Sequence, residues 1–237
     1  QKTGDFRIHK GPVFTNLLLA DEINRAAPKV QGAMLEAMQE RKVTLGGQTM
    51  RLPTPFLVIA TQNPVEQSGT FELPEAQLDR FMLLHRLGYP ARDEEQDILQ
   101  RQLGMGLRKV EGGAVPKTAF DMIEDSPVGT AADLVAAMEV VQGVHVSEVF
   151  LRHSVELVRR TRESKDLDFG CSPRAGLALV NAARARAVIR GRDYVTPEDL
   201  FDLAEDVVLH RIRVSYEAAA AGQTGAKVLE SILAGLG

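Results

Sequence analysis

Two adjacent carboxylates, Asp21 and Glu22, close the apolar run LLLADE at residues 17–22, and no Lys or Arg follows them until Arg25. Two acids at the end of a strand are costly unless something positive compensates them. A nucleoside triphosphate carrying Mg²⁺ would do so. The Asp would hold the metal, usually through water, and the Glu would polarise the water that attacks the terminal phosphate. The pair could equally cap the helix that follows, and LLLADE alone fits both readings.

Two further stretches favour the first. The run PFLVIAT at residues 55–61 leads into ATQNP at residues 60–64. Parallel strands deliver their carboxyl ends to one edge of a sheet, so Asn63 would stand beside Glu22. There an amide can orient a water and donate to a γ-phosphate oxygen, although Asn-Pro by itself is a common turn. LPEAQLDRF at residues 73–81 then places Arg80 just before the next apolar run. Alone, that arginine fits an ordinary surface charge. Beside an acidic pair and a polar Asn, it reads as an arginine finger aimed at a neighbouring subunit's nucleotide.

The elements that would position these residues change character along the chain. VFTNLLLA (13–20) and PFLVIAT (55–61) are short and rich in branched residues, with little polar alternation, as expected of parallel strands buried on two faces. Between them, residues 27–40 place Val30, Met34, Leu35 and Met38 at helical spacing behind Pro28. KVTLGGQTMRL (42–52) alternates around Gly46-Gly47, a hairpin signature, and RFMLLHRLGY (80–89) reads as another strand. Beyond Pro90 the periodicity is helical, over residues 93–103, 130–142, 147–164, 172–190 and 196–212. Ser172-Pro173 and Thr196-Pro197 supply N-caps followed by a proline at the first helical position. Residues 104–127 read as an irregular exposed connection, and residues 216–236 as a linker and a terminal amphipathic helix. The expectation is an α/β segment over residues 1–90 followed by an all-helical domain over 91–237.

Composition excludes several classes. The 237 residues are 44% hydrophobic and 25% charged, an ordinary globular balance. One cysteine, Cys171, permits no intramolecular disulfide and implies a reducing, cytoplasmic setting. It precedes the Ser172 cap, where a helix N-terminus can activate a thiol, but it reads as an inert small residue. The five histidines, His9, His85, His145, His153 and His210, lack ligand spacing, so no metal beyond Mg²⁺ is expected. No apolar run is long enough to span a bilayer, so no membrane insertion is expected. A net charge of −4 gives no global attraction to nucleic acid. RRTRESK (159–165) and RARAVIRGR (184–192) are the candidate basic patches, and both fit solvated helix faces better.

Taken together, LLLADEINRA, MLEAMQERKVTL, VIATQNPVEQSGTFELPEAQLDRF and SPRAGLALVNAARARAVIRGRDYVTPEDL resemble the MoxR family of AAA+ ATPases over essentially the whole chain. The resemblance implies a partial AAA+ P-loop core with a mainly parallel sheet, followed by a helical lid. It assigns Asp21 and Glu22 to the Walker B pair, with Asp21 serving Mg²⁺ and Glu22 as catalytic base. It assigns Asn63 to sensor 1, Arg80 to the arginine finger acting across a ring interface, and Arg174 of SPRAG to sensor 2, in its own subunit or its neighbour's. Glu66 and Gln67 belong to the same block without a role. The hairpin at residues 42–52 and the stretch at residues 4–12 look like family insertions facing a pore or a substrate.

ATP and Mg²⁺ are the implied cofactors, and a homo-oligomeric, hexameric ring the implied assembly. Implied partners are a client protein matured or remodelled by the ring and a protein with a von Willebrand factor A domain. One motif is missing: no G-x-x-x-x-G-K-[ST] phosphate loop occurs. In the family that loop lies upstream of the Walker B strand, so the sequence reads as an N-terminally truncated ATPase, inactive by itself. The alternatives are a non-hydrolysing interaction module or degenerate paralogue and, less well supported, a DNA-translocating motor.

Overall fold

The computed structural model describes residues 10–63, 69–124 and 127–236. By compactness the chain groups into two units, one of residues 1–84 with 137–237 and the other of residues 85–136. His9, Glu66 and Gln67, and all of the stretch at residues 4–12 except Lys10, Gly11 and Pro12, lie outside the described residues.

The first unit opens with strand β1 (Leu17–Ala20) and a short 3-10 turn at Ile23–Arg25. Helix α1 (Pro28–Glu40) follows, with Pro28 in its first turn, and ends at Arg41 in the left-handed region. Strands β2 (Lys42–Leu45) and β3 (Gln48–Arg51) form the expected hairpin. Gly46 and Gly47 both have positive φ, 55° and 79°, the requirement of a tight two-residue turn matched to strand twist. Strand β4 (Leu57–Ala60) then returns parallel to β1, with Leu17 opposite Leu57 and Ala20 opposite Ala60. Short helix α2 (Glu75–Leu78) precedes Arg80. A small apolar cluster of Ile23, Leu35 and Leu73, packed by Met34, Met38, Ala60, Leu78 and Phe81, holds this part together.

Two expectations fail here. The strands are not buried on both faces: Leu17, Leu19, Leu57 and Ile59 alternate onto one face and are about half exposed or more, Leu19 reaching 62%. Among the described residues the β1–β4 sheet has two strands, and nothing covers that face. Residues 80–89 form no strand either. Their backbone groups are taken by the helical part instead: the Leu84 N–H donates to Asp206 O at 2.9 Å, and the carbonyls of Phe81 and Met82 accept from Arg211. A segment whose polar groups are satisfied this way has no ladder to join.

The second unit, residues 85–136, begins with helix α3 (Arg92–Gly104). Strands β5 (Leu107–Val110) and β6 (Gly113–Pro116) form an antiparallel hairpin, and short helix α4 (Ala119–Glu124) follows. Over its described residues 104–124, the connection expected to be irregular is therefore mostly regular structure. Its turn signal was Glu111-Gly112, with Gly112 at φ 86°. Helix α5 (Ala131–Gly143) crosses the division between the units.

The rest of the first unit is the larger core. It comprises α6 (Glu148–Glu163), β7 (Leu167–Phe169), α7 (Pro173–Ile189), α8 (Pro197–Val208), β8 (Arg213–Val214), α9 (Tyr216–Ala220) and α10 (Gly225–Ala234). A short antiparallel pairing of β7 with β8 ties the helices together. Helix α7 is central because its buried face is mostly alanine, including Ala175, Ala178, Ala182, Ala183 and Ala187, so α6 and α8 approach closely. Leu157, Leu179, Leu200, Val207 and Val208 fill the contact. Of the two expected caps, Ser172 Oγ accepts from the Arg174 N–H, and Thr196 stands at the N-cap of α8 with its backbone N–H donating to Asp199 Oδ2 at 2.9 Å. Ser147 Oγ, accepting from the Phe150 N–H, caps α6 as well.

Candidate functional site

The carboxyl ends of β1 and β4 are joined by one side chain with no motif of its own, that of Thr61. The Thr61 N–H donates to Ala20 O at 3.1 Å, and Thr61 O accepts from Ile23 N–H at 2.9 Å, so the parallel ladder runs on past both strands. Thr61 Oγ1 donates to Asp21 Oδ1 at 2.6 Å and accepts from the Glu22 N–H at 2.8 Å. Glu22 has φ 48° and ψ 51°, the left-handed region, which costs a non-glycine residue about 1–2 kcal/mol. Thr61 holds it there. A strained backbone at a strand end, fixed by its neighbours, is typical of residues whose side chain must be aimed.

Neighbouring groups pin the loop from beneath. Asn24 Nδ2 donates to Asn63 O at 3.1 Å, and Phe71 N–H donates to Asn24 O at 2.6 Å. The fully buried Gln31 of α1 donates to both Ile23 O and Phe71 O. Arg25 Nε lies 2.9 Å from Glu22 Oε2, so the nearest following cation does reach the acidic pair. Both partners are substantially exposed, which makes the contact weak and easily exchanged.

Arg174 and Arg80 sit at a second centre. Asp79, buried beside α2, accepts from Ser172 Oγ at 2.8 and 3.0 Å, from Arg174 Nη1 at 3.3 Å and from Arg211 Nε at 3.0 Å. Arg174 thus leaves the N-terminus of α7 to rest on the residue before Arg80. Arg80 itself is exposed, and its guanidinium bonds to no described residue. The structure therefore brings Asp21, Glu22 and Asn63 to one edge and Arg174 onto Asp79, the residue before Arg80. Between the two centres lies the apolar cluster that contains Ile23, Leu78 and Phe81.

Asp79 and Arg211 were legible in principle. LDRF sets an acid beside the candidate finger, and VVLHRI sets a cation among residues with helical apolar spacing, the mark of a buried pair. Thr61 was hidden, because a hydroxyl before a polar turn has no motif of its own. Two titrations follow from burial. The Cys171 thiol is pushed up to about 11, chiefly by burial, which makes it unreactive. His210 is pushed down to about 4 by burial, with the Arg211 charge acting in the same direction.

The acidic edge suits Mg²⁺. Asp21 is exposed and gives one carboxylate oxygen to Thr61, which leaves acceptor capacity for a metal's water shell. A single carboxylate with waters and substrate phosphates is the usual way Mg²⁺ is held. Among the described residues no three His, Cys, Asp or Glu side chains gather into an all-protein metal cage.

The candidate basic patches are largely committed to internal contacts. Arg184 donates to Gln142 and Val144, while Arg186 and Arg192 both pair with Asp199, which is 2% exposed. Arg159 and Arg160 pair with Glu163 and Glu156, and Arg162 donates to Cys171 O. Little free positive charge remains to track a phosphate backbone.

Comparison with known proteins identifies the family of the chain. Residues 1–83 match the family model described as ATPase family associated with various cellular activities (AAA), and residues 159–232 match the AAA lid domain. The chain is 41% identical over 225 residues to Chaperone MoxR1 of Mycobacterium tuberculosis, covering 91% of this chain and 55% of that protein. It is 40% identical over 232 residues to YeaC of Bacillus subtilis, an uncharacterised protein, covering 98% of this chain and 68% of the relative. A crystal structure from Cytophaga hutchinsonii, provisionally described as an ATPase, superposes with a TM-score of 0.80 at 37% identity, covering 97% of this chain and 68% of that one. The chain thus spans between about half and two thirds of the length of these relatives.

Proposed function

The chain belongs to the MoxR family of AAA+ ATPases, and from that premise we propose that the whole protein is a ring-forming ATP hydrolase. Hydrolysis would drive maturation or remodelling of a client protein. The observation that carries the reading is the Thr61 bridge, which gathers Asp21 and a strained Glu22 at the carboxyl ends of two parallel strands, where Asn24 also holds the Asn63 carbonyl. That edge is where open α/β sheets bind ligands.

In this reading residues 1–90 are the AAA+ core and residues 91–237 the lid. Asp21 would hold Mg²⁺ through water, and the bound metal would neutralise charge on the β- and γ-phosphates. Glu22 would exchange its weak contact with Arg25 for the attacking water and accept its proton as the water oxygen bonds to the γ-phosphorus. The bond from that phosphorus to the β–γ bridging oxygen would break, releasing ADP and phosphate. Asn63 would orient that water. Arg80 of the adjacent subunit would stabilise charge developing on the transferring phosphoryl group, and Arg174 would contact the phosphates from the lid. A hexameric ring, a cytoplasmic location and a partner with a von Willebrand factor A domain belong to the same proposal. Among the described residues no helix is long and apolar enough to cross a membrane.

The reading requires a phosphate-binding loop, which none of the 237 residues supplies. The rival reading is a non-hydrolysing interaction module, and hydrolysis decides between them. In the full-length gene product, ATP turnover should be readily measured. Arg80→Ala should lower kcat by about 10³-fold or more in assembled rings while ATP still binds. A full-length product that assembles but does not hydrolyse would establish the module instead.

A further inference from the structure

Arg211 makes contacts that none of the roles above uses. It follows α8 in the lid, is 3% exposed, and reaches across to the segment that carries Arg80. Its Nε donates to Asp79 Oδ1 at 3.0 Å and its Nη2 to Asp79 O at 3.2 Å. Nη2 also donates to Phe81 O, and Nη1 to Met82 O at 3.3 Å and to Val207 O of α8. One planar guanidinium thus engages backbone carbonyls on both sides of Arg80. His210 Nε2 meets Phe81 O at 3.3 Å, and the Leu84 N–H reaches Asp206 O, so the end of α8 grips the whole turn.

We propose that Arg211 and Asp79 form a lid-borne clamp that positions Arg80 for the neighbouring subunit's nucleotide. The physical argument rests on what fixes a finger. Arg80 is exposed and has no described side-chain partner, so only its backbone can aim it. That backbone lies in a turn just after α2, with no strand to stiffen it. Five donors in a rigid fork can immobilise such a turn, whereas an ammonium cannot satisfy the same set of acceptors. The charged partner matters as well. A guanidinium this deeply buried needs the Asp79 carboxylate, and the same carboxylate holds Arg174.

The clamp therefore links the lid arginine to the finger through one acid. A lid that moves Arg174 changes the ion set around Asp79 and hence the hold on Arg80. Arg211 and Asp79 touch no nucleotide in this scheme, so they are positioning residues.

The proposal rests on the reading of Arg80 as a finger acting in trans, and the test separates the two. Arg211→Lys and Asp79→Asn are made in the full-length product, alongside Arg80→Ala and Glu22→Gln. Asp79→Asn preserves side-chain shape, so it reads the clamp even where Arg211→Lys fails to fold. Each clamp variant should keep ATP affinity within about threefold and lose at least about fivefold in kcat.

Mixing then distinguishes misplacement from general damage. A clamp variant retains its own Glu22, and a Glu22→Gln subunit offers an intact finger. Mixed rings should therefore hydrolyse faster than the sum of the two separately, as Arg80→Ala mixed with Glu22→Gln should. If Arg80→Ala gains on mixing but the folded clamp variants do not, or if they keep kcat within fivefold, the clamp is overturned. Should Arg80→Ala itself leave hydrolysis intact, the finger reading falls and the clamp with it.

Discussion

At the level of single residues, the Thr61 hydroxyl and the Arg211 guanidinium do what the acidic motif alone could not. Thr61 makes the strained Glu22 affordable, and Arg211 orders the turn behind Arg80. Beside Arg211, His210 carries a pH dependence whose sign is fixed. Its folded pKa of about 4 lies below the unfolded value near 6.5, so the unfolded chain binds more protons between them. Stability should fall as pH drops from about 6.5 to about 4, by on the order of 2–3 kcal/mol from this group, and then level off for it. His210→Gln should flatten that slope in urea unfolding followed by circular dichroism. An unchanged slope would mean that His210 is no more costly to protonate in the native state than in the unfolded chain. Asp199 acts lower on the scale. Burial raises its pKa, but hydrogen bonds from Arg192 and from the Thr196 backbone, with Arg186 nearby, outweigh that and hold it below the usual carboxylate range.

At the level of elements, what was readable depended on whether local pattern or distant partners decided the outcome. Helices α6, α7 and α8 carry their own signals: N-cap residues at Ser147, Ser172 and Thr196, first-turn prolines in α7 and α8, and apolar faces at helical spacing. The hairpin at Gly46-Gly47 was equally local. Residues 80–89 were misread because an apolar run says strand only where another strand stands beside it. Here Asp206 and Arg211 take its polar groups. The same dependence makes the elements unequal in strength. The α6–α7–α8 core buries many more side chains than the cluster around Ile23, Leu35 and Leu73, and the β1–β4 pair leaves a whole apolar face in water. In hydrogen exchange of this chain, amides of β1 and β4 should exchange at least about tenfold faster than those of α7, since protection follows local stability. Equal protection would show that the strand pair unfolds only with the lid core.

For the whole molecule, the candidate residues fall at two places. Asp21, Glu22 and Asn63 stand at one sheet edge, and Arg174 is held on Asp79 beside an exposed Arg80. The candidate residue types stood out in sequence because the proposed catalysis would draw on acids, an amide and arginines. The pairing of lid to core through Asp79 and Arg211 was not, because those residues lie 132 positions apart and no local pattern links them.

The central claim is that Glu22 is the base of an ATPase, and the measurement that tests it most directly is the Glu22→Gln variant of the full-length product. ATP binding and ATP hydrolysis are measured on the same preparation. The account predicts that ATP affinity stays within about threefold while kcat falls by about 10²-fold or more, the range expected when a general base is lost. Hydrolysis by Glu22→Gln at the unmodified rate would contradict it.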